Sequence, residues 1–261
     1  MTENNKPFWL KNMIVLGHGA PNKIKKLGGV QGRCACIWSK ELGYCRINPI
    51  PHGYLYDWEL IDVEVRKPNN DGRENTFMIY NYEKDWSKMY LHIKVHKDDK
   101  GGRINLLKTK RDECISLIKS LAIDSFSDVK DNKRSFGIIT PSKVEGFLER
   151  NKETSVQQKT LFGLDDLDGL IMNQKDYKWV PCIKYSCSAP CSAKNPIHKS
   201  KIVEWGCYQW MIKNPNNEEY CKKVFDNLRI NQEGWENYLL IGNTRTYPKS
   251  YIIVKVIRFK K

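Results

Sequence analysis

No stretch of this chain approaches the ~20 consecutive apolar residues of a membrane-spanning helix, so a helical membrane protein is not expected. The start also lacks the apolar core of a secretory signal. Residues 1–7 are largely polar, and Phe8–Leu16 is interrupted by Lys11 and Asn12. Acidic side chains are in deficit: 30 Asp and Glu face 44 Lys and Arg, a net charge of +14. There is no internal repeat and no low-complexity tract, which removes solenoids and disordered arrays. Familiar catalytic patterns are missing too. No Ser/His/Asp order, phosphate loop or nuclease-type Asp…Glu-x-Lys stands out. Asp165, Asp166 and Asp168 lack the ligand rhythm and the closing Glu of a calcium loop.

What is present is cysteine and positive charge. Nine cysteines cannot all pair within one chain. With no export signal expected, reduced thiols in the cytoplasm, a few of them holding a metal, fit better than a disulfide framework. A chain of 261 residues buries a full core and forms one large or two small domains. A surface this basic suits a polyanion, of which nucleic acid is the commonest. The plainer alternative is a solubilising surface with no partner.

The pattern of apolar residues indicates an α+β fold. Asn12–His18 is a short strand, and Trp58–Val65 alternates cleanly. The Pro68–Gly72 turn leads to a returning strand over Thr76–Tyr82. Short strands divided by Gly and Pro predict a small β-barrel-like N-terminal domain. Helices are expected around Trp86, Met89, Tyr90 and Ile93 and over Arg111–Leu121. Arg134–Pro141 reads as a strand, and Lys143–Gln158 as a linker or an exposed helix. The domains are placed at 1–155 and 170–261. In the second, Lys178–Ser186 reads as a strand and Lys199–Lys213 as a helix. Asn217 caps a further helix ending near Leu228, and residues 238–259 form a hairpin.

One short run carries the most chemistry: Cys187-Ser-Ala-Pro-Cys191, then His198, then Glu204-Trp205. Two thiols four apart with an imidazole soon after have zinc-ligand spacing, and Zn2+ is the expected cofactor. For the fourth ligand, Cys182 would face away on a regular strand, and Cys207 would lie on the far side of a helix from His198. Cys221 meets neither objection and is preferred. Glu204 could ligate the metal or orient the histidine from behind. His92 and His96, four apart, are a weaker metal pair. Gly17-His18-Gly19 is a weak anion cradle, since no helix pattern follows it.

Three basic segments are candidates for nucleic acid. Lys23, Lys25, Lys26 and Arg33 flank a Gly-rich loop. Arg103, Lys110 and Arg111 form a second group. Arg245, Tyr247 and Lys249 occupy the tip of the last hairpin. Lysine and arginine neutralise phosphates, and exposed aromatics stack on unpaired bases.

Ile47–Pro51, Asp71-Gly-Arg73, Ser135–Pro141, the Cys/Cys/His run, Glu204-Trp205 and Ile241-Gly-Asn243 occur in a recognisable order. In that order the chain resembles an uncharacterised group of prokaryotic proteins with a barrel-like N-terminal region and a C-terminal Cys-Cys-His element. This chain departs from the group's pattern in having Ile197 before the histidine and Glu204-Trp205-Gly206 where Asp-Trp-Glu is usual. The resemblance implies an OB- or PUA-like barrel and a setting among DNA-modification and anti-phage genes, with other defence proteins as partners. The expected function is nucleic-acid binding, DNA favoured, with a zinc-stabilised C-terminal α+β domain. The rivals are a metal-dependent nuclease or hydrolase using Cys187, Cys191, His198 and Glu204, and an adaptor for an acidic protein.

Overall fold

The computed structural model describes residues 6–24, 30–69, 71–122, 125–150, 178–244 and 248–261. It is a mixed α+β structure built on a closed five-strand barrel. The first seven strands are β1 (Phe8–His18), β2 (Asn22–Ile24), β3 (Val30–Ser39), β4 (Gly43–Pro51), β5 (Leu60–Arg66), β6 (Thr76–Ile79) and β7 (Ile93–Val95). Strands β1-β3-β4-β6-β5 follow one another around the wall, and β1 pairs with β5 to close it. All these pairings are antiparallel except β4 with β6. Alternation explains the inside: Ile61, Val63 and Val65 of β5 meet Met13, Val15, Ile37, Ile47 and Ile79 in the barrel core. Gly43 turns β3 into β4 at φ 67°, a conformation that an L side chain resists.

Two further sheets follow, the first against the barrel through β1 and β4, the second against the first. One joins β8 (Phe136–Ile139), β12 (Trp235–Asn243) and β13 (Tyr251–Lys260); the other joins β9 (Pro141–Arg150), β10 (Trp179–Cys187) and β11 (His198–Lys201). The helices are short: α1 (Leu106–Thr109), α2 (Arg111–Leu121), α3 (Phe126–Asp131), α4 (Trp205–Met211), α5 (Glu218–Lys222) and α6 (Val224–Asn227). Helix α2 buries Cys114 and Ile118 and carries Asp112 and Glu113 in its first turn, where they complement its dipole. Asn217 caps α5 as the sequence indicates, accepting from the Tyr220 N–H at 3.0 Å. No helix among the described residues is long and apolar enough to cross a membrane.

Three segments differ from expectation. Trp86–His92 is a 3-10 helix, and Ile93 already belongs to β7. Residues 143–150, read as linker or helix, lie in β9. Their polar character is that of a sheet edge, which natural proteins keep polar against stray pairing. The segment expected as a helix from Lys199 begins as β11, whose register against β10 pairs Ser200 with Ile183; the helix starts only at Trp205. Strands β8 and β9, placed by sequence in the first domain, pair with β12 and β10 of the second. The expected boundary and the Asp165–Asp168 loop lie outside the described residues.

One side of the barrel's outer wall is covered. Leu16, Cys34 and Cys36 join Leu239, Ile241, Ile253 and Val256 in a second core between barrel and sheets. A buried arginine fastens this seam. Arg46 on β4 donates from Nη2 to the Asn243 carbonyl at 2.9 Å and to the Ser135 carbonyl at 3.3 Å, and its guanidinium lies 4.3 Å from the Phe136 ring centre. Beside it Arg73, held by Asp71, donates to the same Asn243 carbonyl.

Gly146 of β9 tests the strand assignment. A Cβ there would stand 2.2 Å from Cδ1 of the Phe225 ring. Gly146→Ala should lower stability by about 1–3 kcal/mol through overpacking, read from the urea midpoint. A linker or exposed helix would tolerate or welcome the alanine.

Candidate metal centre

Pairing of β10 with β11 builds the site. Tyr185 sits opposite His198, so the strand that ends in Cys187 brings the histidine back beside it. The turn after β10 then returns Cys191. The ligand atoms of Cys187, Cys191 and His198 all lie within 4.8 Å of one another, and Cys191 Sγ is 3.4 Å from His198 Nε2. A tetrahedral zinc with ordinary bond lengths keeps its ligand atoms about 3.5–3.8 Å apart, so the spacing fits.

Helix α3 packs over the group. The Phe126 N–H donates to Cys187 Sγ at 3.3 Å, and the Ser192 N–H donates to Ser127 Oγ at 3.1 Å. Ser125 and Asp128 form a capping box that fixes the start of this helix. The His198 ring lies between Phe126 (4.6 Å) and Tyr185 (5.1 Å). Burial holds the His198 imidazole below its ordinary pKa, leaving it neutral with a lone pair for a metal. Burial pushes the Cys187 thiol up to about 11. At Cys191 burial acts the same way, but hydrogen bonds from the Ala193 N–H and from Ser127 outweigh it and lower the thiol. A bound cation deprotonates both thiols. Two sulfurs and an imidazole are a donor set that suits zinc.

Among the described residues no fourth thiol, imidazole or carboxylate belongs to this group. Cys221, the expected fourth ligand, is buried in α5 with its thiol directed to the Asn214 carbonyl at 3.5 Å. Cys182 donates instead to Glu149, 3.4 Å away, and Cys207 is buried in α4. Glu204 does not orient His198. Its carboxylate accepts from Lys255 Nζ at 2.6 Å and from the Val256 N–H at 2.9 Å. His92 and His96 hold no common ligand position, being bound to Glu64 and Asp62 respectively. Beside the centre opens a depression lined by Phe126, His198, Lys199, Ser200, Lys249 and Tyr251.

The basic residues divide. Lys249 is exposed at that depression. Lys110 and Arg111 are exposed at the start of α2, with Lys110 paired to Glu113. Arg103 is tied to Glu59 at 2.7 Å and lies over the Tyr56 ring. Arg33 corrects the expectation of a surface cation: it is buried, and its guanidinium donates to the Leu55 carbonyl. Lys23 falls in β2, while Lys25, Lys26, Arg245 and Tyr247 lie outside the described residues.

Sequence reasoning missed a chain of ion pairs at the seam. His18 Nδ1 meets Asp57 Oδ1 at 2.6 Å; Lys255 Nζ bridges Asp57 Oδ2 (2.8 Å) and Glu204 Oε1 (2.6 Å). Gly17 gives the only hint, because a Cβ there would come within 2.9 Å of Lys255 Cβ. Asp57 and Lys255 stand in no recognisable motif. Burial alone would raise Asp57, but Lys255 and His18 hold it well below the usual carboxylate range. Burial would lower Lys255, and Glu204 and Asp57 raise it above its ordinary value instead.

Compared with known proteins, the chain matches no family model and shows no significant similarity to a curated sequence.

Two measurements probe these groups. Purified protein should carry about one zinc per chain; Cys187→Ser or His198→Ala should lose it with a large fall in melting temperature, since metal binding is coupled to folding. Cys221→Ser should keep the zinc, as elemental analysis would show. Lys255→Met removes the shared cation of the buried Glu204 and the partly buried Asp57 and should cost about 1–3 kcal/mol at pH 7. The depressed Asp57 contributes stability above its unfolded pKa and loses it as pH falls through the folded value. The deficit of Lys255→Met should therefore shrink below about pH 4, where carboxylates protonate in the unfolded chain. Urea titrations at pH 7 and pH 3 make the comparison.

Proposed function

We propose that the protein binds nucleic acid, with DNA the favoured form, and that a zinc held by Cys187, Cys191 and His198 is structural. The observation that carries this reading is the open depression beside the metal ligands. Lys249 borders it next to Phe126, Lys199 of the same lining being paired with Glu149, and among the described residues no carboxylate lines it. Phosphate is drawn by such a lining, and the net charge of +14 brings a polyanion toward it. Barrel topology adds support. Its order, with one parallel pair between the third and last wall strands, is that of an OB-type barrel, a frequent oligonucleotide platform. In this chain the face over β3 is buried beneath the added sheets, so the metal-side depression takes the role of contact surface. A defence or DNA-modification setting in a prokaryotic cytoplasm rests on the resemblance in sequence alone.

The three-ligand group beside an open depression favours a second reading, a metal-dependent hydrolase, because an open position admits water. That reading lacks a base among the described residues of the lining, and Glu204 is committed to Lys255. Binding is therefore preferred to cleavage, and an adaptor for an acidic protein ranks behind both.

Fluorescence anisotropy with single- and double-stranded DNA and RNA should give an affinity that falls steeply with salt. Lys249→Glu should weaken it about three- to tenfold and reduce the slope of log K against log salt by about one. Chelator should abolish binding together with the fold of the β10–β11 region. No binding to any of the four at low salt overturns the reading. Metal-dependent cleavage of any of them transfers it to the hydrolase.

A further inference from the structure

A guanidinium taken out of water needs an anion or a full set of acceptors. Arg33 is 7% exposed and has neither. It donates from Nη2 to the Leu55 carbonyl, while its Nε–H is buried without an acceptor. The acids whose charge reaches it are engaged elsewhere: Asp57 with His18 and Lys255, Glu59 with Arg103.

His18, 6% exposed, presents the matching gap. Asp57 is ionised by Lys255, so the proton between Asp57 and His18 sits on Nδ1. The imidazole is neutral, kept so by burial and by the charges of Arg33 and Lys255 against the pull of Asp57. Its Nε2 is then a bare acceptor, and it is buried with no partner. The two gaps are neighbours. His18 on β1 pairs with Ala35 on β3, two residues from Arg33 across a bulge, and both side chains reach the same loop, His18 to Asp57 and Arg33 to the Leu55 carbonyl. His52, exposed and edge-on to Trp205 with 5.3 Å between ring centres, stands close enough for the charges of Arg33 and His18 to act on it.

A ligand here must give a proton to His18 Nε2 and accept one from Arg33 Nε–H. We propose that His18 and Arg33 form a site for a phosphate-class oxyanion carrying a proton, its P–OH donating to His18 and a P–O oxygen accepting from Arg33. Hydrogen phosphate offers both functions on one tetrahedral centre. Sulfate and carboxylates offer only acceptors near neutrality, and binding them requires protonating a histidine that burial keeps neutral. The site is independent of the metal centre and of the nucleic-acid reading. Gly17 contributes by letting Lys255 approach, which fixes Asp57 and through it the His18 tautomer.

The test uses the full chain at pH 7.5, with calorimetry and long-range nitrogen NMR of the histidine side chains. Inorganic phosphate should bind at least tenfold more tightly than sulfate and move the His18 Nε2 signal. His18→Gln and Arg33→Lys should each weaken phosphate at least tenfold; should they fail to fold, the comparison of phosphate with sulfate in the parent chain decides. Equal binding of the two anions, or no change at His18, overturns the proposal and leaves an ordinary buried water between the two groups. A 5′-phosphorylated and a 5′-hydroxyl oligonucleotide identify the source. Displacement of phosphate by the first alone makes the ligand a nucleic-acid end, and displacement by neither makes it the free ion.

Discussion

The structure depends on a seam of buried polar groups between the barrel and the sheets that cover it. Apolar contacts press the two together without direction, and the seam supplies register. Arg46 and Arg73 converge on the carbonyl of Asn243, and Lys255 links Asp57 of the barrel to Glu204 at the head of α4. Each group has a charged or hydrogen-bonded partner on the opposite body. Sliding one body past the other would strand charges in the interior, a far larger penalty than a lost apolar contact. Such networks specify one arrangement more than they add stability.

The seam also accounts for several short motifs. Asp71-Gly-Arg73, Ser135 and Asn243 meet around Arg46, and Gly17-His18 meets Glu204 through Asp57 and Lys255. Residues that look like scattered functional signatures therefore share a structural task. The metal group stands apart from it. It is assembled from β10, β11 and the turn between them, with α3 supplying backbone and hydroxyl partners. A local ligand set of that kind is held by strand register. That is why the Cys187–His198 cluster was legible in spacing, and why Glu204, six residues on, was not where spacing put it.

The sequence by itself determined the local and the periodic. The alternation of Leu60–Arg66, the amphipathic face of α2, the Asn217 cap, the final hairpin and the three metal-ligand candidates all follow from near neighbours along the chain. Tertiary structure decided what depends on distant partners. Residues 141–150 became a strand because β10 was there to pair with. Cys221 was withdrawn from the metal because its helix is packed elsewhere, and Arg33 was turned from a surface cation into a buried one. The Lys255 network joins residues up to 237 positions apart, from His18 to Lys255. No periodicity records such a meeting, because the energy of a buried charge is set by what surrounds it in space and not by what precedes it in sequence.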